Sequence, residues 1–438
     1  MTEKLLSELT TAQVGGPAKT YVRATSEAEI IEAVSAADAA GEPVLIVGGG
    51  SNLLVSDEGF NGTVVHIASE GVEVLPIPAC GGANVRVQAG TIWDDFVKLS
   101  IENEWVGPAA LSGIPGTVGA TPVQNVGAYG VEVGEFIASE GVEVLPIPAC
   151  GGANVRVQAG TIWDDFVKLS IENEWVGPAA LSGIPGTVGA TPVQNVGAYG
   201  VEVGEFIASV RTWDREKNTR KTFASADLRF GYRDSVLKRA TVNGSPRYVV
   251  LTVDFQFTLG SLSSPIRYAE LAKSLGVEPG QRAESALVRQ KVLELRGSKG
   301  MVLNPEDRDT FSTGSFFTNP IVPRSTLESL PEGAPNFPVV VKTSPFTDGV
   351  EDPDHVKLSA AWLIQHAGFD KGFGLEGESR EIAQGRASLS TKHTLAITNR
   401  GGASAEDIFA IARAVRDGVR ERFGVTLVPE PVVVNGEI

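Results

Sequence analysis

Glycine-rich loops are the part of this sequence best suited to hold a ligand. They occur at Val14–Ala18, Gly48–Asn52 and Gly113–Ala120, and the last recurs at Gly183–Ala190. Glycine lets backbone N–H groups approach a phosphate closely and adopt positive φ angles. None of the loops has the G-x-G-x-x-G or P-loop spacing, and a tight turn would explain any one of them. Together, all low in charge, they favour an extended dinucleotide, and the amides of Gln124–Gly130 and Gln194–Gly200 could bind a flat polar ring.

Three single residues could carry chemistry. Arg233 lies among aromatic residues, where it could form a surface ion pair with Asp234 or hold a substrate carboxylate. Ser315 follows a glycine and precedes two phenylalanines, a setting that also suits an ordinary turn serine. The sequence has no G-x-S-x-G nucleophile elbow, so a hydrolase nucleophile has no support. Glu430 stands rigidly between two prolines, although a lone glutamate is usually solvated.

The chain contains a perfect internal repeat, since residues 67–136 recur unchanged as 137–206. Of the 438 residues, 70 are a second copy and 368 are unique. Repeat architectures diverge, have periods of about 20–50 residues and need three or more units, so this is not a solenoid. The tripeptide Ile-Ala-Ser stands at 67–69, 137–139 and 207–209, which is what slippage between two such sites would leave. A recent duplication or an artefact of sequence assembly is favoured over a selected second site.

The repeat has a physical consequence, because the fold offers one position to two identical segments. The first copy follows its natural upstream strand and the second leads into its natural downstream strand, so either copy or a hybrid could fill that position. A 70-residue insertion costs little closure entropy. The displaced apolar residues would lose their partners, and we predict lower solubility than for the 368-residue parent.

Composition excludes several classes of protein. The net charge is −16, and each copy holds eight acidic and two basic residues, so the unique sequence has a net charge near −10. This balance argues against a nucleic-acid or anionic-membrane surface. Cys80 and Cys150 are one cysteine present in both copies, which argues against a disulfide framework, and the four histidines lack zinc-ligand spacing. There is neither a membrane-length apolar run nor a signal-like N-terminus, so the expected location is the cytoplasm.

The pattern of elements is typical of an α+β protein, because predicted strands outnumber clear crossover helices. Helices are predicted at 28–40, from an N-cap at Thr91 to 105, at 285–296, at 358–367 and from Ser404 to Gly424. Strands are predicted at 44–47, 63–67, 85–88, 248–257 and 425–434.

Taken in order, the strings Gly48–Asp57, Ile114–Gly119, Gln124–Gly130, Tyr232–Ser235 and Gly314–Pro320 resemble the UDP-N-acetylenolpyruvoylglucosamine reductases of bacterial cell-wall synthesis. The resemblance runs from about Thr10 to Glu430. It implies an FAD-binding fold of the vanillyl-alcohol-oxidase (PCMH) type in two subdomains, followed by a smaller α+β substrate-binding domain. The implied boundaries are 1–60 for the first subdomain, joined by a returning C-terminal strand at 425–438, then 61–299 for the second and 300–424 for the substrate domain.

The resemblance also implies roles for single residues. Ser315 matches the proton-donating serine, Arg233 the substrate-carboxylate arginine and Glu430 the essential C-terminal glutamate. Tyr232, Lys299 and Asn319 are implied in substrate binding, Lys299 by the looser alignment. Thr318 replaces a lysine common in the family, which puts a nearby charge contact in doubt. FAD is implied to contact Gly48, Gly49, Gly50, Ser51 and Asn52, together with Gly113, Ile114, Pro115, Gly116, Thr117, Gly119, Asn125 and Gly127 or their second-copy equivalents Gly183, Ile184, Pro185, Gly186, Thr187, Gly189, Asn195 and Gly197.

The expected activity is FAD-mediated reduction of UDP-N-acetylglucosamine enolpyruvate to UDP-N-acetylmuramate, with NADPH as the hydride source. The alternatives are another FAD oxidoreductase of the same fold, such as a sugar or alcohol oxidase, and a flavoprotein impaired by its duplication. Many such oxidases attach FAD through His or Cys, and the glycine-rich loops contain neither, which favours non-covalent FAD. The expected partner is a UDP-sugar nucleotide, without nucleic acid, membrane or metal, for a monomeric protein.

Overall fold

The structure, a computed structural model, describes most of the chain outside the first copy of the repeat. The described residues are 4–70, 72–75, 93–102, 112, 127–128, 131–132, 152–242, 244–341 and 350–438. They belong to two compact units. The first unit comprises residues 1–74 and 155–438, and the second comprises residues 75–154.

Helices and strands alternate irregularly along the chain. The helices are α1 (Glu27–Ala39), α2 (Trp93–Glu102), α3 (Trp163–Glu172), α4 (Val236–Arg239), α5 (Ala269–Leu275), α6 (Ser285–Ser298), α7 (Ala360–His366) and α8 (Ala405–Phe423). The strands are β1 (Ala18–Ala24), β2 (Val44–Val47), β3 (Leu53–Val55), β4 (Phe60–Ile67), β5 (Val72–Leu75), β6 (Gly127–Ala128), β7 (Val131–Glu132), β8 (Gly152–Gln158), β9 (Trp175–Val176), β10 (Gly197–Ala198), β11 (Val201–Glu202), β12 (Ile207–Asp214), β13 (Thr219–Ala224), β14 (Thr241–Val242), β15 (Ser245–Pro246), β16 (Tyr248–Leu259), β17 (Ile321–Pro323), β18 (Asn336–Val341), β19 (Val350–Leu358), β20 (Ala387–Leu389), β21 (Ile397–Asn399) and β22 (Val432–Val434).

Local sequence signals set the ends of the long helices. The α8 helix starts at a capping box, in which Ser404 and Asp407 each bind the other's backbone N–H, and it ends at Gly424 with a φ of 69°. The α1 helix has Ser26 as its N-cap. In the second copy the N-cap of α3 is Ile162, one residue after the threonine equivalent to Thr91. Thr91 itself and the predicted strand at 85–88 lie outside the described residues.

A small parallel sheet in the order β1-β4-β2 holds the N-terminal part of the chain, and α1 packs on it. Strand β4, at the centre of this sheet, runs across the predicted boundary at residue 60. The chain's C-terminal strand, β22, pairs in parallel with β3, matching Val432 to Leu53. This strand is shorter than predicted, because Pro429 and Pro431 have no N–H to donate to a ladder. The pairing brings the C-terminal segment beside the loop that precedes β3.

A larger sheet has the strand order β13-β12-β16-β8-β5, with β9 also paired to β16. The α3 helix brings Trp163 and Phe166 to its core, where the Phe166 ring lies 4.9 Å from the ring of Phe255. The C-terminal part of the chain forms a third sheet, β17-β19-β18, and a core built around α7 and α8. No helix among the described residues is long and apolar enough to cross a membrane.

The large sheet contains parts of both copies of the repeat. Its edge strand β5 comes from the first copy, its strands β8 and β9 come from the second, and β12, β13 and β16 follow the repeat. The sheet is therefore a hybrid of the two copies, with residues 76–151 lying in the chain between its neighbouring strands β5 and β8.

The second unit contains helix and strand elements of the first copy. Each has the same length as the equivalent element of the second copy. Its helix α2 has the sequence and length of α3. Its strands β6 and β7 pair Gly127 with Glu132, as β10 and β11 pair Gly197 with Glu202. Local sequence therefore produces these elements in both settings.

Candidate functional site

A cavity of 360 Å³ in the first unit collects the residues predicted to act. Its lining includes the loop between β2 and β3, the second-copy segment from Ile184 to Gly197, and the two segments that carry Ser315 and Glu430. Arg233 also lines it. Its volume is within the range of small-molecule binding sites.

The glycine-rich loops Gly48–Asn52 and Gly183–Ala190 touch each other at this cavity, and their close approach requires glycine. A Cβ atom on Gly49 would lie 2.7 Å from the Cα of Gly186, which is closer than folded proteins tolerate. Gly186 has a φ of +123°, a region that side-chain-bearing residues rarely adopt. The Ser51 hydroxyl donates to the carbonyl of Pro185 at 2.8 Å, which fixes the two loops together. The result is a backbone-lined wall of the kind that admits a phosphate.

Most of the cofactor residues predicted in the loop between β2 and β3 and in the second copy line this cavity. They are Gly48, Gly49, Gly50, Ser51, Asn52, Ile184, Pro185, Gly186, Thr187, Gly189 and Gly197. Gly183 and Asn195 are not among the described lining residues, and each is held by a hydrogen bond within the first unit. The Gly183 N–H donates to Asp164 at 2.6 Å, and the buried Asn195 donates to the Gly231 carbonyl at 3.1 Å.

The first-copy equivalents cannot be placed in the cavity. Gly127 lies in β6 of the second unit. Outside the described residues lie Gly113, Ile114, Pro115, Gly116, Thr117, Gly119 and Asn125.

Arg233 and Glu430 form an ion pair at the cavity wall. The Nε of Arg233 donates to Oε1 of Glu430 at 3.0 Å, with side chains 21% and 14% exposed. A second donor, Nη2, binds the Gly197 carbonyl at 2.9 Å. The alternative pairing with Asp234 is wrong, because Asp234 binds Arg239 instead. Limited exposure to water strengthens the charge interaction, so the guanidinium and the carboxylate hold one another in place.

Ser315 reaches the same wall because its segment pairs with the Glu430 segment. The N–H of Glu430 donates to the Phe316 carbonyl at 2.8 Å, and Phe317 forms a bridge with Pro429. The side chains of Phe316 and Phe317 are almost fully buried and anchor the segment. Ser315 is half-buried and lines the cavity. Thr318, where the family commonly has lysine, donates its N–H to the carbonyl of Val428 at 3.1 Å.

Tyr232 organises a cationic region next to Arg233. Its hydroxyl accepts the N–H of Asn319 at 3.4 Å, and burial raises the pKa of its phenol. The Arg233 guanidinium and the Lys357 ammonium lie 5.4 and 4.7 Å from its ring centroid. Burial lowers the pKa of Lys357, since a half-buried ammonium loses hydration. This arrangement can hold an anionic group, and sequence reasoning missed Lys357 because a lysine within a strand carries no local signal.

Lys299 lies elsewhere, at the end of α6. Its ammonium binds the Glu270 carboxylate at 2.7 Å, and it is absent from the described cavity lining.

Arg296, in the last turn of α6, is a second cavity residue that sequence reasoning missed. Its Nη2 donates to the Met301 carbonyl at 3.0 Å, while its buried Nε has no hydrogen-bond partner among the described residues. Burial lowers the pKa of this arginine. Arg296 lines the cavity beside Gly183, where a guanidinium suits a diphosphate held by the glycine loops. The structure therefore fits the predicted FAD, with backbone N–H groups and Arg296 available to its phosphates.

Comparison with known proteins agrees with this geometry. An FAD binding domain model matches residues 18–144 and 149–222, and the model of the UDP-N-acetylenolpyruvoylglucosamine reductase C-terminal domain matches residues 305–434. The UDP-N-acetylenolpyruvoylglucosamine reductase of Cutibacterium acnes is 46% identical over 430 residues, covering 98% of this chain and 89% of the relative. The Nocardia farcinica reductase is 42% identical over 433 residues, covering 98% and 88%.

Among solved structures, the UDP-N-acetylenolpyruvylglucosamine reductase of Thermus caldophilus aligns with a TM-score of 0.49 and 20% identity, covering 99% of this chain and 98% of the other. The sequence relatives and the two domain models carry the assignment. They confirm the predicted resemblance and the α+β fold with an FAD-binding domain followed by a C-terminal domain. The chain belongs to the UDP-N-acetylenolpyruvoylglucosamine reductase family.

Proposed function

We propose that the protein reduces UDP-N-acetylglucosamine enolpyruvate to UDP-N-acetylmuramate in peptidoglycan synthesis, with FAD as its cofactor and NADPH as the hydride source. The observation that carries this proposal is the meeting of Ser315, Arg233 and Glu430 at one wall of the glycine-lined cavity. Bound FAD would accept hydride from NADPH and supply it to the substrate. The substrates are cytoplasmic metabolites, so we propose a cytoplasmic enzyme.

Cofactor binding would fall to the touching glycine loops and to Arg296. The loops around Gly49 and Gly186 present backbone N–H groups, and Arg296 supplies positive charge from a buried position. A guanidinium with an open donor binds a phosphate more strongly in a low-dielectric site than in water. The protein thereby holds the cofactor without a covalent bond.

The ion pair and the serine would perform the protein's part of the reduction. Addition of hydride to the terminal carbon of the enolpyruvyl group moves negative charge onto the adjacent carboxylate. Arg233 would stabilise that charge, together with Glu430 when protonated, as preorganised donors stabilise oxyanions. The hydroxyl of Ser315 would then give its proton to the neighbouring carbon and recover one from solvent. A serine is a weak acid, so this step requires a basic intermediate and a site protected from water.

Two measurements test this function. The purified protein is expected to show flavin absorption and to oxidise NADPH over many turnovers only when the enolpyruvyl sugar nucleotide is present. NADPH-independent oxidation of an alcohol or sugar would instead favour the oxidase alternative. Ser315→Ala is expected to keep FAD and lose several orders of magnitude in turnover, whereas the exposed control Ser329→Ala keeps activity. A Ser315→Ala loss below about tenfold, ~1.4 kcal/mol, would exclude Ser315 as the proton donor.

We further propose that the repeat is a tandem duplication, with the second copy supplying the cofactor loop. The contacts of Gly186 with Gly49 and of Pro185 with Ser51 support this assignment, since both partners belong to the first unit. On this view the protein is a 368-residue reductase with 70 additional residues. Its solubility should rise when residues 137–206 are deleted, and unchanged solubility and melting temperature would contradict the proposal.

A further inference from the structure

Asn52 occupies an unusual junction at the cavity. It ends the glycine-rich loop Gly48–Asn52, and the sequence pattern places it with the predicted cofactor residues. Its side-chain amide is, however, engaged within the protein. Nδ2 donates to Oε1 of Gln194 at 2.9 Å and to the backbone carbonyl of Glu430 at 3.3 Å. The same residue's carbonyl accepts the N–H of Val432 at 2.9 Å.

The segment around Glu430 depends on such contacts because of its prolines. Pro429 and Pro431 have no N–H, so Glu430 carries the one backbone donor of this tripeptide, and that donor binds the Phe316 carbonyl at 2.8 Å. The opposite edge of the segment presents the Glu430 carbonyl. Asn52 binds that carbonyl, so Glu430 is held from both sides by partners on different segments.

We propose that Asn52 is a positioning residue for Glu430, fixing its backbone so that its carboxylate meets Arg233. The carboxylate lies 3.0 Å from Nε of Arg233, and both groups line the cavity together with Asn52. Asn52 also links the backbone of Glu430 to Gln194, which belongs to the second copy of the repeat. The inference rests on the proposed function, because it assigns Asn52 to the substrate step in which Glu430 acts.

The two half-reactions separate this role from cofactor binding. In the proposed mechanism Glu430 takes part in transfer to the enolpyruvyl substrate and has no part in the oxidation of NADPH by the FAD-loaded protein. For Asn52→Ala we expect transfer to the substrate to slow about 10- to 30-fold, the effect of losing one positioning hydrogen bond. Flavin reduction by NADPH, and FAD affinity measured by titrating the apoprotein, should change less than about threefold.

Companion variants sharpen the test. Asn52→Asp keeps the size but removes both N–H donors, so it should lose at least as much as Asn52→Ala. Ser51→Ala is the matched loop control, because Ser51 binds Pro185, and any change there should be shared by both half-reactions. Melting temperatures identify a variant that fails to fold, and Asn52→Ser then replaces the alanine variant.

A double-mutant cycle with Glu430→Gln provides the decisive comparison. If Asn52 acts through Glu430, adding Asn52→Ala to Glu430→Gln should slow substrate reduction by less than about twofold further, whereas independent effects multiply. Effects that multiply, or equal losses in both half-reactions, would overturn the role proposed for Asn52 and leave the proposed function standing. A wild-type protein that binds FAD and accepts hydride from NADPH but never reduces the enolpyruvyl substrate would overturn the proposed function, and with it this inference.

Discussion

The two identical copies allow the same substitution to be made in two structural settings. In the second copy, Asp164 accepts two hydrogen bonds from Arg289, at 2.6 and 2.7 Å, and a third from the Gly183 N–H. Burial alone would raise the pKa of Asp164, but these bonds outweigh it and hold the pKa below its ordinary value. In the first copy, the equivalent Asp94 pairs with Lys98 within α2 at 3.0 Å.

The two carboxylates differ in the pairs that their removal breaks. Asp164→Ala leaves the guanidinium of Arg289, whose side chain is 19% exposed, without its carboxylate. Breaking a buried pair in this way costs about 3–5 kcal/mol, and a partly exposed one about 2. The orphaned Gly183 N–H adds about 1 kcal/mol. Asp94→Ala breaks, among the contacts of Asp94, the pair with Lys98 one helical turn away, whose lysine is 64% exposed and which contributes about 0.3–0.5 kcal/mol.

Calorimetric melting of the two variants measures this difference. We expect a loss of about 4 °C for Asp164→Ala and a smaller loss for Asp94→Ala. Each substitution sits in an identical sequence, so helix propensity and unfolded-state effects cancel in the comparison. Equal shifts, or a larger shift for Asp94→Ala, would refute the assignment of the second copy to the sheet and the cavity.

The remaining predictions address the cofactor, the substrate and pH. Gly186→Asp should reduce FAD affinity at least tenfold, since it adds strain at a positive φ and a charge beside the loops, while Gly116→Asp should not; FAD titration of both variants measures this. Arg233→Ala should raise the substrate KM and lower kcat with FAD still bound, and loss of FAD would move Arg233 to the cofactor site. Burial lowers the pKa of His393 to about 4, so the unfolded chain takes up its proton first as pH falls. The stability that this group contributes is complete above about pH 6.5 and declines by up to about 3 kcal/mol toward pH 4. His393→Gln should therefore make the melting temperature depend less on pH over that range. An unchanged dependence of the melting temperature on pH would contradict this prediction.

Local sequence signals predicted several elements well. The capping signature at Ser404 and the glycine at 424 bound α8 as expected, because both act through backbone groups within one turn. The final strand was predicted too long, since its apolar pattern outweighed the two prolines that interrupt it. Arg233, Ser315 and Glu430 were identified from the strings around them, and the structure brings all three to one cavity.

Other site residues carried no local signal. Arg296 and Lys357 lie in an ordinary helix and an ordinary strand. Their importance follows from burial and from neighbours distant in sequence: Gly183 and Met301 for Arg296, and Tyr232 for Lys357. The choice of Glu430 as the partner of Arg233, over the adjacent Asp234, also depended on contacts nearly 200 residues apart in the chain.

By itself, the sequence determined the family, the glycine loops, the residues proposed to react and the existence of two identical 70-residue segments. It could not determine which copy completes the fold, because identical sequences have identical propensities, and α2 and α3 indeed have the same extent. Only tertiary contacts distinguish the copies. Asp164 meets Arg289 and Gly186 meets Gly49 in the first unit, and the packed space that this helix and loop of the second copy fill excludes their first-copy counterparts, since two side chains cannot occupy the same space.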